Sequence, residues 1–104
     1  MECEIVTNLE ITKKNELLLQ LESKGKSLHQ HVYREAAGVY WDNELHGFKS
    51  TPLKDDWTCS QWFFHIVAIA KSVGVDLQLD KNVTWHGIPD KDKNEIIGKV
   101  KIVE

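Results

Sequence analysis

From Trp62 to Ala70 the chain reads Trp-Phe-Phe-His-Ile-Val-Ala-Ile-Ala, an apolar run broken by one strongly polar side chain, His65. A helix that is apolar nearly all round is normally buried at the centre of a domain. Helix punctuation frames this run. Thr58 can cap the first turn and Gln61, three residues on, can bond back to the cap amide, while Trp57 and Trp62 can close over that turn as a hydrophobic staple. Gly74 supplies the left-handed residue at which many helices end. The pattern predicts a buried central helix over 58–73.

Upstream, Thr12 opens a helix predicted to run to Lys24, with Leu17, Leu18 and Leu21 on its apolar face and Gly25 as its stop. Ser27 and Gln30 form a second capping box. The helix they start is expected to reach Leu45 or His46 and to end at Gly47, with Leu28, Val32, Ala36, Val39 and Tyr40 at helical spacing. Gly38 inside it costs about 1 kcal/mol against alanine, which marks close packing or a bend. Residues 47–56, with Pro52, read as a polar connection. Beyond Gly74 the period changes. Val75, Leu77 and Leu79 alternate with Asp76, Gln78 and Asp80, Asp80-Lys81-Asn82 offers a turn, and Val83-Thr84-Trp85 returns, so a small hairpin is expected at 75–87. Pro89-Asp90 looks like a further helix start. The steps between Ile96, Ile97, Val100 and Val103 fit a helix, whereas their β-branching and Gly98 fit a strand paired with residues 3–6; the helix is preferred. The expected fold is mainly α (α or α+β): one domain, 1–104, built as a bundle of about four helices around 58–73.

Charge and cysteine content narrow the function classes. The 104 residues carry 16 acidic and 13 basic side chains, a net charge of −3, and no basic arm or cluster stands out, which weighs against a direct nucleic-acid binder. Two cysteines, Cys3 and Cys59, are too few for a disulfide framework. The N-terminus lacks the basic and apolar regions of a signal peptide, and no apolar run approaches the ~20 residues that span a bilayer. A cytoplasmic protein with reduced thiols, without membrane attachment, is expected.

Candidate chemistry is sparse. His65 shares one stripe of its helix with Gln61, Ala68 and Ser72; it suits a metal ligand or a base in a cleft, but a core histidine bonded to a neighbouring carbonyl is the simpler reading. His31 and Glu35, one turn apart, have the geometry to share a metal, with His65 as a third ligand from a packed helix, although the same pair on a solvated face is ordinary. Asp42 and His46 continue that face. Cys59 lies in the first turn of the central helix, where the dipole lowers a thiol pKa, yet His65 sits too far around the helix to pair with it. Ser60 lacks a nucleophile elbow, and no phosphate-cradling loop is present. No cofactor is called for, and a non-enzyme is expected. The stretch Asp56-Trp57-Thr58 leading to His65 resembles the central helix of the DinB-like bundle proteins; that family implies a divalent-metal triad, which carries over to His65 alone.

A binding surface is the remaining candidate. Trp41 falls opposite the core face of the second predicted helix, and exposed Trp is enriched in interface hot spots. Asp42 and Glu44 flank it, and Asp55 and Asp56 add to an acidic surface. The overall profile (small, acidic, rich in Trp) resembles the immunity proteins of bacterial toxin systems, including the contact-dependent growth-inhibition type. That resemblance implies a protein that neutralises a cognate toxin by covering its active site, the toxin often being a basic nuclease, with Trp41, Asp42, Glu44, Asp55 and Asp56 as contact residues. The alternative is a small DinB-like metal-binding protein using His31, Glu35 and His65. A homo-oligomer completed by a second copy is a third expectation.

Overall fold

The computed structural model describes residues 2–22, 38–42, 44–52, 57–72 and 74–103. Their architecture overturns the helical bundle. Six strands form one mixed sheet in the order β3-β4-β2-β1-β5-β6, with β1 Glu2–Ile11, β2 Leu17–Leu21, β3 Val39–Asp42, β4 Gly47–Ser50, β5 Val75–His86 and β6 Ile102–Val103. Two helices, α1 (Cys59–Ser72) and α2 (Asp90–Lys99), pack on one another, and α1 lies against β5, β2 and β4.

Of the segment expected as a helix from Thr12 to Lys24, the described part (12–22) is a tight turn followed by a strand. Leu17, Leu19 and Leu21 alternate onto the helix-covered face and are buried, a period of two that the neighbouring Leu18 disguises as helical spacing. Asn15 takes the left-handed conformation with φ 60°, which Asn tolerates better than most residues. Its N–H donates to the Thr12 carbonyl at 2.9 Å, and the Thr12 N–H donates to the Glu16 carbonyl at 2.8 Å. β2 therefore returns antiparallel to β1. The second expected helix falls partly on residues 23–37, outside the described residues. Its remainder is the β3–β4 hairpin, entered through Gly38 at φ +82°. A Cβ at Gly38 would meet Thr51 and the Trp62 ring at 3.0 Å each, so close packing sets this glycine.

β1 is the spine of the sheet, antiparallel to β2 and parallel to β5. Its register slips between Val6 and Asn8 against both neighbours. A bulge of this kind reverses the side-chain alternation, and so Val6 and Leu9, an odd number of residues apart, both reach the core. The hairpin expected at 75–87 is instead the single strand β5. Along it, pairing jumps from Leu79 to Thr84 while β1 advances only from Val6 to Asn8. The excursion falls on Asp80-Lys81-Asn82, the stretch expected to turn. The helix preferred for residues 96–103 stops at Lys99, and Ile102–Val103 pairs with Leu79–Asp80 in parallel rather than with residues 3–6.

The central helix was read correctly in its ends and only partly in its faces. Thr58 N–H donates to Gln61 Oε1 at 2.8 Å and Gln61 N–H donates to Thr58 Oγ1 at 3.2 Å, the reciprocal capping box. Trp57 and Trp62 meet edge to face, centroids 4.8 Å apart, and Gly74 follows the helix at φ +90°. Trp62, Phe63, Ile66 and Ala70 are buried, whereas Ala68 is exposed. Beneath them a row of Trp41, Phe48, Leu19, Leu9 and Trp85 crosses five strands in register. From α2, Ile96 joins this core, Asp92 Oδ1 accepts the Ser60 N–H at 3.3 Å and Glu95 Oε2 accepts the Ser60 hydroxyl at 3.1 Å. Carboxylates thus face the positive end of α1, where the dipole favours them. Thr58→Ala is expected to lower stability by about 1 kcal/mol and Thr58→Ser by much less; a denaturant midpoint unchanged in Thr58→Ala would contradict a working cap. Among the described residues no helix is long and apolar enough to cross a membrane.

Candidate binding site

The sheet face opposite α1 is polar, and its side chains are bonded to one another across strands. Two rows lie on it in register. One runs Tyr40, Lys49, Leu18, Glu10 and His86, the other Asp42, Gly47, Gln20, Asn8 and Thr84. Gly47 lets β4 approach β2 closely, since a Cβ there would run into the Leu19 carbonyl. Lys49 Nζ donates to Asp42 Oδ2 at 3.2 Å and lies 3.5 Å from Glu16 Oε1. Tyr40 donates its hydroxyl to Glu16 Oε2 at 3.0 Å, and Thr12 Oγ1 donates to Glu16 Oε1 at 3.2 Å. Asn8 Nδ2 donates to Gln20 Oε1 at 2.8 Å, and Thr84 donates its hydroxyl to Asn8 Oδ1 at 2.7 Å.

The β3–β4 turn is held to the same network. Asp42 Oδ1 accepts the N–H groups of Glu44 and Leu45 at 3.0 and 2.9 Å. Gln20 Nε2 donates to the Leu45 carbonyl at 3.1 Å. Leu45 is thereby fixed on both sides of its backbone while its side chain stays 39% exposed. It walls a shallow concavity of about 400 Å³, shared with Glu10, Lys13, Lys14, Leu18 and Lys49.

The electrostatics favour the charge states already present at neutral pH. Burial, above all, raises the Tyr40 phenol; the Lys49 hydrogen bond opposes this and Glu16 adds to it. Burial works to raise Asp42, but the Leu45 N–H, Lys49 and the Glu44 N–H outweigh it and hold the carboxyl below its usual range. Burial likewise works to lower Lys49, and its contacts with Tyr40 and Asp42, with the charge of Glu16, hold the ammonium above its usual range. None of these shifts prepares a base or nucleophile near pH 7. Across the sheet, burial and then the Asp92 charge push the Cys59 thiol up to about 12, the opposite of the activation expected at a helix start.

The residues singled out from sequence divide. Trp41 is on a strand and packs toward the core, edge to face with Phe48 at 5.2 Å; strand alternation, absent from a helical wheel, puts it there. Asp42 and Glu44 belong to the polar face, the first committed to Lys49 and the turn, the second exposed. His31, Glu35, Asp55 and Asp56 lie outside the described residues. His65 is half-buried, its ring 5.3 Å from Trp57 and 5.7 Å from Trp62. Both contacts are edge to face. Among the described residues no group of three or more His, Cys, Asp or Glu gathers. Sequence reasoning missed Glu16, Gln20, Tyr40 and Lys49. The signal for them was the polar partner in the strand alternation: Glu16 just before Leu17, Gln20 between Leu19 and Leu21, and Tyr40 and Asp42 around Trp41.

A family profile described as Integron Cassette Protein Hfx_Cass5 matches residues 21–83. The chain belongs to this family. A solved structure of Hfx_Cass5, an integron cassette protein from the mobile metagenome of the North West Arm Sewage Outfall, is 28% identical, with 94% of this chain and 95% of that chain covered at a TM-score of 0.40. No match was found among curated proteins. Hfx_Cass5 membership replaces both resemblances drawn from the sequence, to growth-inhibition immunity proteins and to DinB-like bundles. The first rested on overall profile and the second on capping residues that many helices share.

Proposed function

We propose that this Hfx_Cass5-family chain is a non-enzymatic binding protein that engages a protein partner through the polar sheet face. The observation that carries this reading is Leu45. A large apolar side chain is held in water by two hydrogen bonds to its backbone, from Gln20 and to Asp42. Fixing an exposed anchor before contact removes part of the ordering cost of association. Asp42 and Lys49 beside it support binding over catalysis, because their contacts favour the ions they already are.

The test is comparative capture from host-cell extract with the wild-type chain and with Leu45→Glu. Leu45 is exposed, so its replacement is expected to leave the thermal midpoint within a few degrees. The wild-type chain should retain a partner that saturates with added bait, and Leu45→Glu should lose it. A saturable partner held equally by both proteins would remove this face from the interface. Asp42 is unsuitable for this purpose, since its replacement would also release the turn.

A further inference from the structure

We infer that His46, next to Leu45 in the β3–β4 turn, is a second partner-contact residue whose imidazole meets a hydrogen-bonding group of the partner, an inference that rests on the binding reading above. Among the described residues five take the left-handed conformation, and four of them suit it: Gly38, Gly74 and Gly87 carry no Cβ, and Asn15 closes the β1–β2 turn. The fifth is His46, at φ 53°. Histidine enters this region more readily than most residues, but at a cost that glycine avoids. The fold uses the backbone of His46, whose carbonyl accepts the Leu21 N–H at 2.9 Å and ties the turn to β2. It makes no such use of the imidazole. The half-buried ring has no hydrogen bond, ion pair or ring contact with the described residues.

Backbone strain that no internal bond repays clusters at contact and switch sites. The neighbours of His46 give the kind of contact. Leu45 is 39% exposed, its N–H given to Asp42 and its carbonyl accepting from Gln20. The Glu44 N–H is held by the same Asp42 oxygen at 3.0 Å. Glu44, Leu45 and His46 thus have backbones tied to the sheet before any partner arrives, which lowers the ordering cost of contact. Leu45 presents an aliphatic side chain, and His46 a planar ring with one donor and one acceptor in its neutral form. A partner surface that seats the leucine and places a hydroxyl or amide beside it meets both.

Stability is set against binding in the test. The partner that the wild-type chain retains saturably from host-cell extract is purified and titrated against the full chain and three variants. His46→Gly should raise the thermal midpoint by about 4 °C, because glycine removes the left-handed cost, and should bind about tenfold more weakly. His46→Asn tolerates the same backbone and keeps a planar donor and acceptor, so it should bind within about threefold of wild type. Leu45→Glu should abolish binding, as the reading above requires. Undiminished binding by His46→Gly overturns the inference and leaves the Leu45 contact intact. A lowered midpoint in His46→Gly overturns it too, because the ring would then be held for the fold. Binding by His46→Asn as weak as by His46→Gly removes the hydrogen-bonding role, and the inference with it. If wild type retains no saturable partner, or Leu45→Glu binds equally, the binding reading itself fails and takes this contact with it.

Discussion

Phe63→Ala is expected to lower the unfolding free energy by about 4 kcal/mol, a large share of the roughly 5–15 kcal/mol typical of a domain. Phe63 is fully buried and belongs to one cluster with Leu9, Leu19, Phe48, Leu79 and Ile96, drawn from the sheet and from α2. Because those neighbours sit on separate elements, no single side chain can swing in to refill the space, and a cavity remains. Phe63→Leu keeps most of the volume and should cost about 1 kcal/mol. A urea series reads the difference as a fall in midpoint at constant slope. Ala68→Gly on the exposed side of the same helix should cost only about 1 kcal/mol, from propensity alone. Equal losses at Phe63 and Ala68 would contradict the one-sided burial of α1.

Lys49→Met should cost about 2–3 kcal/mol. Its ammonium separates the carboxylates of Asp42 and Glu16 and lies 5.5 Å from the Tyr40 ring centroid. The Lys49 and Asp42 side chains are 14% and 20% exposed, so water screens the pair only in part. Removing the cation leaves two acids on one face with a shared hydrogen-bond network and no counter-charge. The loss depends on pH in a definite direction. Asp42 has a lowered folded pKa, so its contribution is present above its unfolded value of 3.8 and vanishes as pH falls through the folded one. Lys49 has a raised folded pKa, so its contribution is complete below 10.5 and is lost as pH rises through the folded value. The gap in thermal midpoint between wild type and Lys49→Met should therefore be widest between these limits and narrow in acid. A gap that is flat with pH would mean that Lys49 stabilises by packing its alkyl chain.

What was legible in the sequence was local. Thr58, Gln61, Trp57, Trp62 and Gly74 lie within a few residues of the atoms they bond, and the α1 boundaries followed from them. Val75, Leu77 and Leu79 declared a strand because their alternation is short and clean. Failure began where two periods coexist. Leu17, Leu18, Leu19 and Leu21 satisfy a helical stripe and a strand face together, and only pairing with β1 decides between them. The same holds for Val39, Tyr40 and Trp41, whose partner is Phe48 and its neighbours on β4. The polar face was invisible for a related reason. Glu16, Lys49, Tyr40 and Asp42 meet through strand register, and a wrong helix cannot bring them together. His65, expected as a core histidine bonded to a carbonyl, instead sits half-buried with its ring against Trp57 and Trp62.

The place of β1 inside the sheet has a consequence for how the chain assembles. Its antiparallel partner β2 follows at once, but its parallel partner begins at Val75, opposite Glu2. During synthesis β1 has one edge satisfied by β2 and the other open until α1 and β5 have emerged. Closure over so long a stretch of chain is entropically slow, and an open strand edge invites pairing with other chains meanwhile. The early polar residues Glu4, Asn8 and Glu10 lie along that waiting strand, where they oppose such mispairing before the native partner arrives.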